Sequence, residues 1–183
     1  MASWKDKRKI MHRYDVTAEM YNERYEIEQK SKYHKALENV SVAGSALLDV
    51  GCGSGLFFRE VAAHADLVVG VDVSRKLLLK AKAQARELPN AFVLQADADN
   101  LPFREVFFGV VFAFTVLQNM PKPAETLKEL KRVVALSGMI VVTGLKKAFS
   151  LNTFMDLLDG SGLRLVSFVD NAAINCYIAV LAA

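Results

Sequence analysis

The stretch Leu47 to Phe57, LLDVGCGSGLF, restricts the folds open to this chain more than any other segment. A short apolar run ends at Asp49, and Gly51, Gly53 and Gly55 follow two residues apart. Glycine has no Cβ and tolerates positive φ, so such a turn lets the backbone come close to a ligand. With a strand before it and a helix after it, this is the first β-turn-α unit of a doubly wound α/β sheet. In such sheets nucleotide-like ligands sit at the carboxyl ends of the strands.

The spacing narrows the ligand. A dinucleotide site needs G-x-G-x-x-G, with a pyrophosphate on the helix N-terminus. Here the glycines run G-x-G-x-G, and Leu56 stands where the third dinucleotide glycine belongs. A phosphate P-loop needs Lys-Ser or Lys-Thr after its last glycine, and neither follows. Asp49 would repel a pyrophosphate but suits a ligand that carries an ammonium and a sulfonium. The run Asp49-Val50-Gly51-Cys52-Gly53-Ser54-Gly55 resembles the first motif, (D/E)-x-G-x-G-x-G after a strand, of the class I S-adenosylmethionine-dependent methyltransferases. The resemblance implies S-adenosyl-L-methionine as cofactor, with Asp49, Gly51, Cys52, Gly53 and Gly55 around it.

Later segments fit the same pattern. The apolar run Leu67 to Val73 contains Asp72, 21 residues after Gly51. A carboxylate there can accept two hydrogen bonds from the vicinal hydroxyls of a ribose. The competing reading is a strand-end Asp that caps the next helix, although Ser74 suits that cap. The resemblance assigns the ribose to Asp72 and puts Val73 beside the cofactor. A third run, Ala91 to Ala96, leads into Asp97-Ala98-Asp99. By the same match Asp97 and Ala98 flank the adenine, while Asp99 reads equally well as a solvated turn residue. Phe107 to Phe114 is a continuous apolar run, as a strand buried on both faces should be.

Thr115 to Met120 follows that run, and in the resembling family this segment lines the cofactor and faces the acceptor. Thr115 falls on the cofactor side; Gln118 and Asn119 are acceptor-side candidates. Their amides can orient an acceptor but cannot act as bases at neutral pH, and both also suit loop capping. No residue is nominated as a general base. Family members that methylate exocyclic amines on bases, or glutamine, often carry (D/N)-P-P-(Y/F) here. This chain reads Gln118-Asn119-Met120-Pro121, which argues against those acceptors.

Residues 1–45 read as helical with one break, forming a cap. Tyr14, Ala18, Tyr21 and Tyr25 recur at three- and four-residue steps and share a face. The resemblance implies that such helices fold over the cofactor pocket, which makes Tyr14 and Tyr21 further acceptor-side candidates; simple packing of the rings is the alternative. Residues 46–183 read as the cofactor-binding domain. Strands are expected at 46–50, 67–72, 91–96, 107–114, 138–144, 163–169 and 174–182, and helices at 55–64, 75–87, 122–135 and 150–161. The short link before the last strand predicts an antiparallel hairpin. The expected fold is a mostly parallel, doubly wound seven-stranded sheet with that hairpin at its C-terminal end.

At 183 residues the chain can bury a sizeable core as one domain. The mean hydropathy of +0.20 is on the apolar side, as buried parallel strands require. No apolar run reaches the ~20 residues of a membrane span, and no secretory signal is evident at the start. Cys52 and Cys176 form no CxxC pair and the three histidines are scattered, so no metal set is expected. A reducing cytoplasm is the natural compartment.

Residues 1–35 hold nine Lys or Arg and six Asp or Glu, which accounts for the whole net charge of +3. The sharpest part is Lys5, Lys7, Arg8 and Lys9, with Arg13 a turn later. Such an arm can attract nucleic acid or an acidic protein face, or it can be a solvated terminus. Three functions therefore stand: a methyltransferase acting on RNA or protein, one acting on a small molecule, and a non-catalytic cofactor-binding or scaffold subunit.

Overall fold

The computed structural model describes residues 4–17 and 21–183, with the side chains of 17 and 21–27 left aside. Ala18 and the side chains of Tyr21 and Tyr25, named above, lie outside what it describes.

Seven strands form one sheet: β1 (Ala46–Val50), β2 (Leu67–Asp72), β3 (Ala91–Gln95), β4 (Phe108–Ala113), β5 (Val134–Leu145), β6 (Arg164–Asp170) and β7 (Cys176–Ala182). Their order is β3-β2-β1-β4-β5-β7-β6. The first five run parallel, with Leu48 opposite Val69 on one side and Val111 on the other. β7 inserts antiparallel between β5 and β6. The expected α/β sheet with its terminal hairpin is the one found.

The helices are α1 (Trp4–Thr17), α2 (Tyr21–Leu37), α3 (Phe58–Val61), α4 (Arg75–Ala85), α5 (Pro123–Val133) and α6 (Leu151–Asp159). Successive strand side chains point to opposite faces, so each central strand feeds two cores. Leu47, Val110 and Phe112 pack with Tyr33 and Ala36 of α2, Phe58 of α3 and Ala81 of α4. Leu48, Val111 and Ile140 pack with Leu127 and Leu130 of α5 and Phe154 of α6. Both faces are covered, which explains the unbroken apolar runs.

Two elements depart from expectation by more than two residues. The helix expected at 55–64 is regular only over Phe58–Val61. Gly55 sits at φ +82°, outside the helical region, and hydrogen bonds from Glu60 to Phe57 and from His64 to Val61 tighten the turns on either side. The strand expected at 138–144 starts at Val134, directly after α5, with no loop between them. Val133 and Val134 are β-branched and favour extended backbone, and the Phe107 N–H already donates to the Val133 carbonyl. The ladder then shifts register between the Phe108–Val134 and Val110–Met139 pairs.

Candidate functional site

The strand order reverses between β1 and β4, and a cleft opens there at the carboxyl ends of the strands. It is partly open to solvent. Its floor is the glycine turn. The Gly51 and Cys52 N–H groups both donate to the Val71 carbonyl, at 2.7 and 3.0 Å. Gly51 adopts φ +73°, and a Cβ there would lie 2.5 Å from Val116 Cγ2. The turn is therefore closed to any side chain at this position.

Asp72 ends β2 and ties the floor to the next wall. Its Oδ2 accepts from the Gly53 N–H at 2.9 Å, and its Oδ1 from the Ser74 N–H at 2.8 Å. Ser74 caps α4 by accepting from the Leu77 N–H, as expected, but Asp72 is not thereby left free.

On the β4 side Thr115 holds φ +62°, a strained position for a β-branched residue. Its N–H donates to the buried Thr143 Oγ1 at 2.7 Å. Its Oγ1 lies 3.4 Å from both Gln29 Nε2 and Lys32 Nζ on α2. Lys32 is only 2% exposed and pairs with Glu28 at 2.8 Å. The Gln29 Oε1 is buried without a hydrogen-bond partner.

α1 roofs the cleft, with Lys7, Ile10 and Tyr14 facing in. Contacts at three places help to hold it. Lys7 pairs with Asp97 at 2.7 Å and Asp99 at 2.5 Å. Asp15 accepts from Ser74 Oγ at 2.5 Å and from the Lys76 N–H at 3.2 Å. Asn119 donates to the Tyr14 hydroxyl at 3.0 Å and accepts from Arg13 at 2.8 Å.

The electrostatics are acidic and buried. Burial pushes the Asp49 carboxyl up to about 8, and repulsion from Asp72 adds to the rise. Burial also raises Asp72; the N–H groups of Ser74 and Gly53 oppose it by stabilising the anion. The Cys52 thiol is held well above its usual range, chiefly by burial, and Cys176 is pushed up to about 11 by the same cause. Neither thiol is a ready nucleophile.

The structure brings most of the residues singled out in the sequence to one place. Gly51, Gly53, Asp72, Val73, Asp97 and Ala98 line the cleft at the ends of β1 to β3 and Thr115 at the end of β4, with Tyr14 and Asn119 under the roof. Four lie behind the lining. Asp49 is 3% exposed beneath the floor. Cys52 and Gly55 face the packing around Phe58. The Gln118 Oε1 is buried without a partner.

Asp99 is no solvated turn residue: besides Lys7 it accepts from Thr126 Oγ1 at 2.5 Å. Sequence reasoning missed Lys7 as a buried residue, and Asp15 as a clip, because charges on a short amphipathic helix read as a solvated face. Gln29 and Lys32 did carry a signal. They lie four residues before Tyr33 and Ala36 on the stripe that packs against the sheet.

Residues 48–142 match the family described as methyltransferase domain. The chain is 37% identical over 102 residues to a demethylmenaquinone methyltransferase of Staphylococcus saprophyticus, covering 54% of this chain and 44% of that protein. It is 33% identical over 148 residues to a tRNA U34 carboxymethyltransferase of Klebsiella pneumoniae, covering 78% of this chain and 44% of that protein. The chain thus spans less than half the length of these two relatives. A crystal structure of an S-adenosylmethionine-dependent methyltransferase from Aquifex aeolicus superposes with a TM-score of 0.78 at 19% identity, covering 91% of this chain and 97% of that one, and so shares the fold.

Proposed function

The chain belongs to the methyltransferase domain family, and we propose that it is an S-adenosylmethionine-dependent methyltransferase acting on a macromolecule, RNA or protein. The observation that carries the reading is the acid-ended cleft at the strand switch point. There Asp72 meets a glycine turn whose Gly51 admits no side chain. These residues fit the cofactor: Asp72 suits its ribose, Asp97 its adenine amine, and the buried acids its positive charge. When bound, S-adenosylmethionine supplies a methyl group on a good leaving group. The protein's task is then to hold the acceptor in line and exclude water. Tyr14 and Asn119 are the acceptor-side residues of this reading, supported by their hydrogen bond to each other under the α1 roof.

Support for a macromolecular acceptor comes from Lys5, Arg8 and Lys9, exposed on the helix that roofs the cleft, and from the tRNA-modifying relative. The basic arm is weaker than its sequence implies, since Lys7 turns inward. A small-molecule acceptor is the second reading; it is favoured by the menaquinone-pathway name of the other relative and by the roof itself.

Purified protein given methyl-labelled S-adenosylmethionine and a cell extract separated into RNA, protein and small molecules tests both. Label in the RNA or protein fraction is expected. Label confined to small molecules selects the second reading, and cofactor binding with no label anywhere selects a non-catalytic subunit.

A further inference from the structure

Lys7 occupies a costly place. It is only 8% exposed, on a helix whose neighbouring cations Lys5, Arg8 and Lys9 are all exposed. Its Nζ donates to Asp97 Oδ1 at 2.8 Å and Oδ2 at 2.7 Å, and lies 2.5 Å from Asp99 Oδ2. A buried ammonium of this kind is held by its carboxylates or not at all. Desolvation pulls its pKa down, yet the hydrogen bonds and charges of Asp97 and Asp99 outweigh that and leave it above the usual lysine value. The ammonium stays charged, and it engages both oxygens of Asp97.

An exocyclic amine on an aromatic ring asks the same thing of Asp97: an N–H donor meeting a carboxylate oxygen. Lys7, Asp97 and Ala98 line the cleft together, so a ligand amine directed at Asp97 would meet the carboxylate where Lys7 already holds it. We propose that Lys7 is an affinity-determining residue of the cofactor site, its ammonium competing with the adenine amino group for Asp97, so that an adenosyl ligand displaces the N-terminal half of α1.

This rests on the methyltransferase reading of the cleft. The other clips confine the movement. Asp15 on Ser74, and Arg13 and Tyr14 on Asn119, anchor the C-terminal half of α1. Lys7 alone of these fastens the half that begins at Trp4. The competition acts on the adenosine portion, so it applies to the methylated cofactor and to its demethylated product alike. Trp4, the chain's single tryptophan and 57% exposed, sits one turn from Lys7 and reports the displacement.

The test is calorimetric titration with S-adenosylhomocysteine, which lacks the sulfonium charge and so isolates the adenine competition. The proteins are wild type, Lys7→Met and Asp99→Asn. Lys7→Met keeps the apolar stem and removes the charge; Asp99→Asn weakens the hold on Lys7 while leaving Asp97 intact. Both variants are expected to bind about fivefold tighter, the factor a modest ion pair represents. Trp4 emission should shift on binding in the wild type.

Equal or weaker binding by a cooperatively melting Lys7→Met, or by Asp99→Asn should Lys7→Met fail to fold, overturns the competition and leaves the cofactor reading standing. Absence of binding by all three proteins overturns the cofactor reading and this proposal with it.

Discussion

Asp49 lies beneath the glycine turn, with its carboxyl raised to about 8 by burial and by the charge of Asp72. An unfolded aspartate titrates near ~4. Between about pH 4 and about pH 8 the native protein therefore keeps a proton that the unfolded chain has released. Stability contributed by this group is complete below the lower value, is lost as pH rises toward 8, and is level above it. Thermal melts from pH 5 to pH 8 should show the wild type losing stability along this slope, with Asp49→Asn losing less and melting higher at pH 8. A melt of Asp49→Asn that stays parallel to wild type across the window would show that Asp49 is already ionised. The same carboxyl should make binding pH-dependent. A cationic ligand favours the anion, so affinity for S-adenosylmethionine should climb toward pH 8 in the wild type and flatten in the variant. A buried acid that costs stability at neutral pH directly beneath a ligand cleft is the exchange expected at a functional site.

The loop after β4 shows the same exchange in its backbone. Thr115 sits at φ +62°, and its N–H has the buried Thr143 hydroxyl as acceptor. Thr143→Val removes that acceptor, nearly isosterically, and leaves a part-buried donor unpaired. The expected loss is about 1–3 kcal/mol of stability in denaturant unfolding; a smaller change would mean that the loop relaxes out of its strained turn. Long-range contacts of this kind separate what could be read from sequence from what could not. β1 and β2 were legible to the residue, because a short apolar run that ends in an acid beside a glycine or serine turn fits little besides a central parallel strand. The start of β5 was not, since Val133 and Val134 continue a helical pattern until the β4 strand offers a ladder. The glycine turn, Asp72 and Asp97 were legible as a motif. The pairing of Lys7 with an acid 90 positions away was not, because nothing in a local window separates a buried lysine from its exposed neighbours.

At the scale of the molecule, the residues read as a cap are partly core. The Tyr33 ring meets Phe57 at 4.7 Å and Phe114 at 4.9 Å between centroids, and Phe57 meets Phe112 at 4.7 Å. This aromatic group joins the C-terminal half of α2 to the central sheet. Tyr33→Ala should cost about 3 kcal/mol, lost in one transition seen alike by far-ultraviolet circular dichroism and tertiary fluorescence. A separate early transition would mean that α2 melts alone. The sheet order has a consequence for biosynthesis. β7 is translated after every other strand, yet it lies between β5 and β6, and all seven of its residues are buried. Among the described residues, β6 pairs with no other strand. While the ribosome works, β6 must wait with both edges open and β5 with one. The sheet is thus exposed to mispairing at these edges in the interval before β7 emerges.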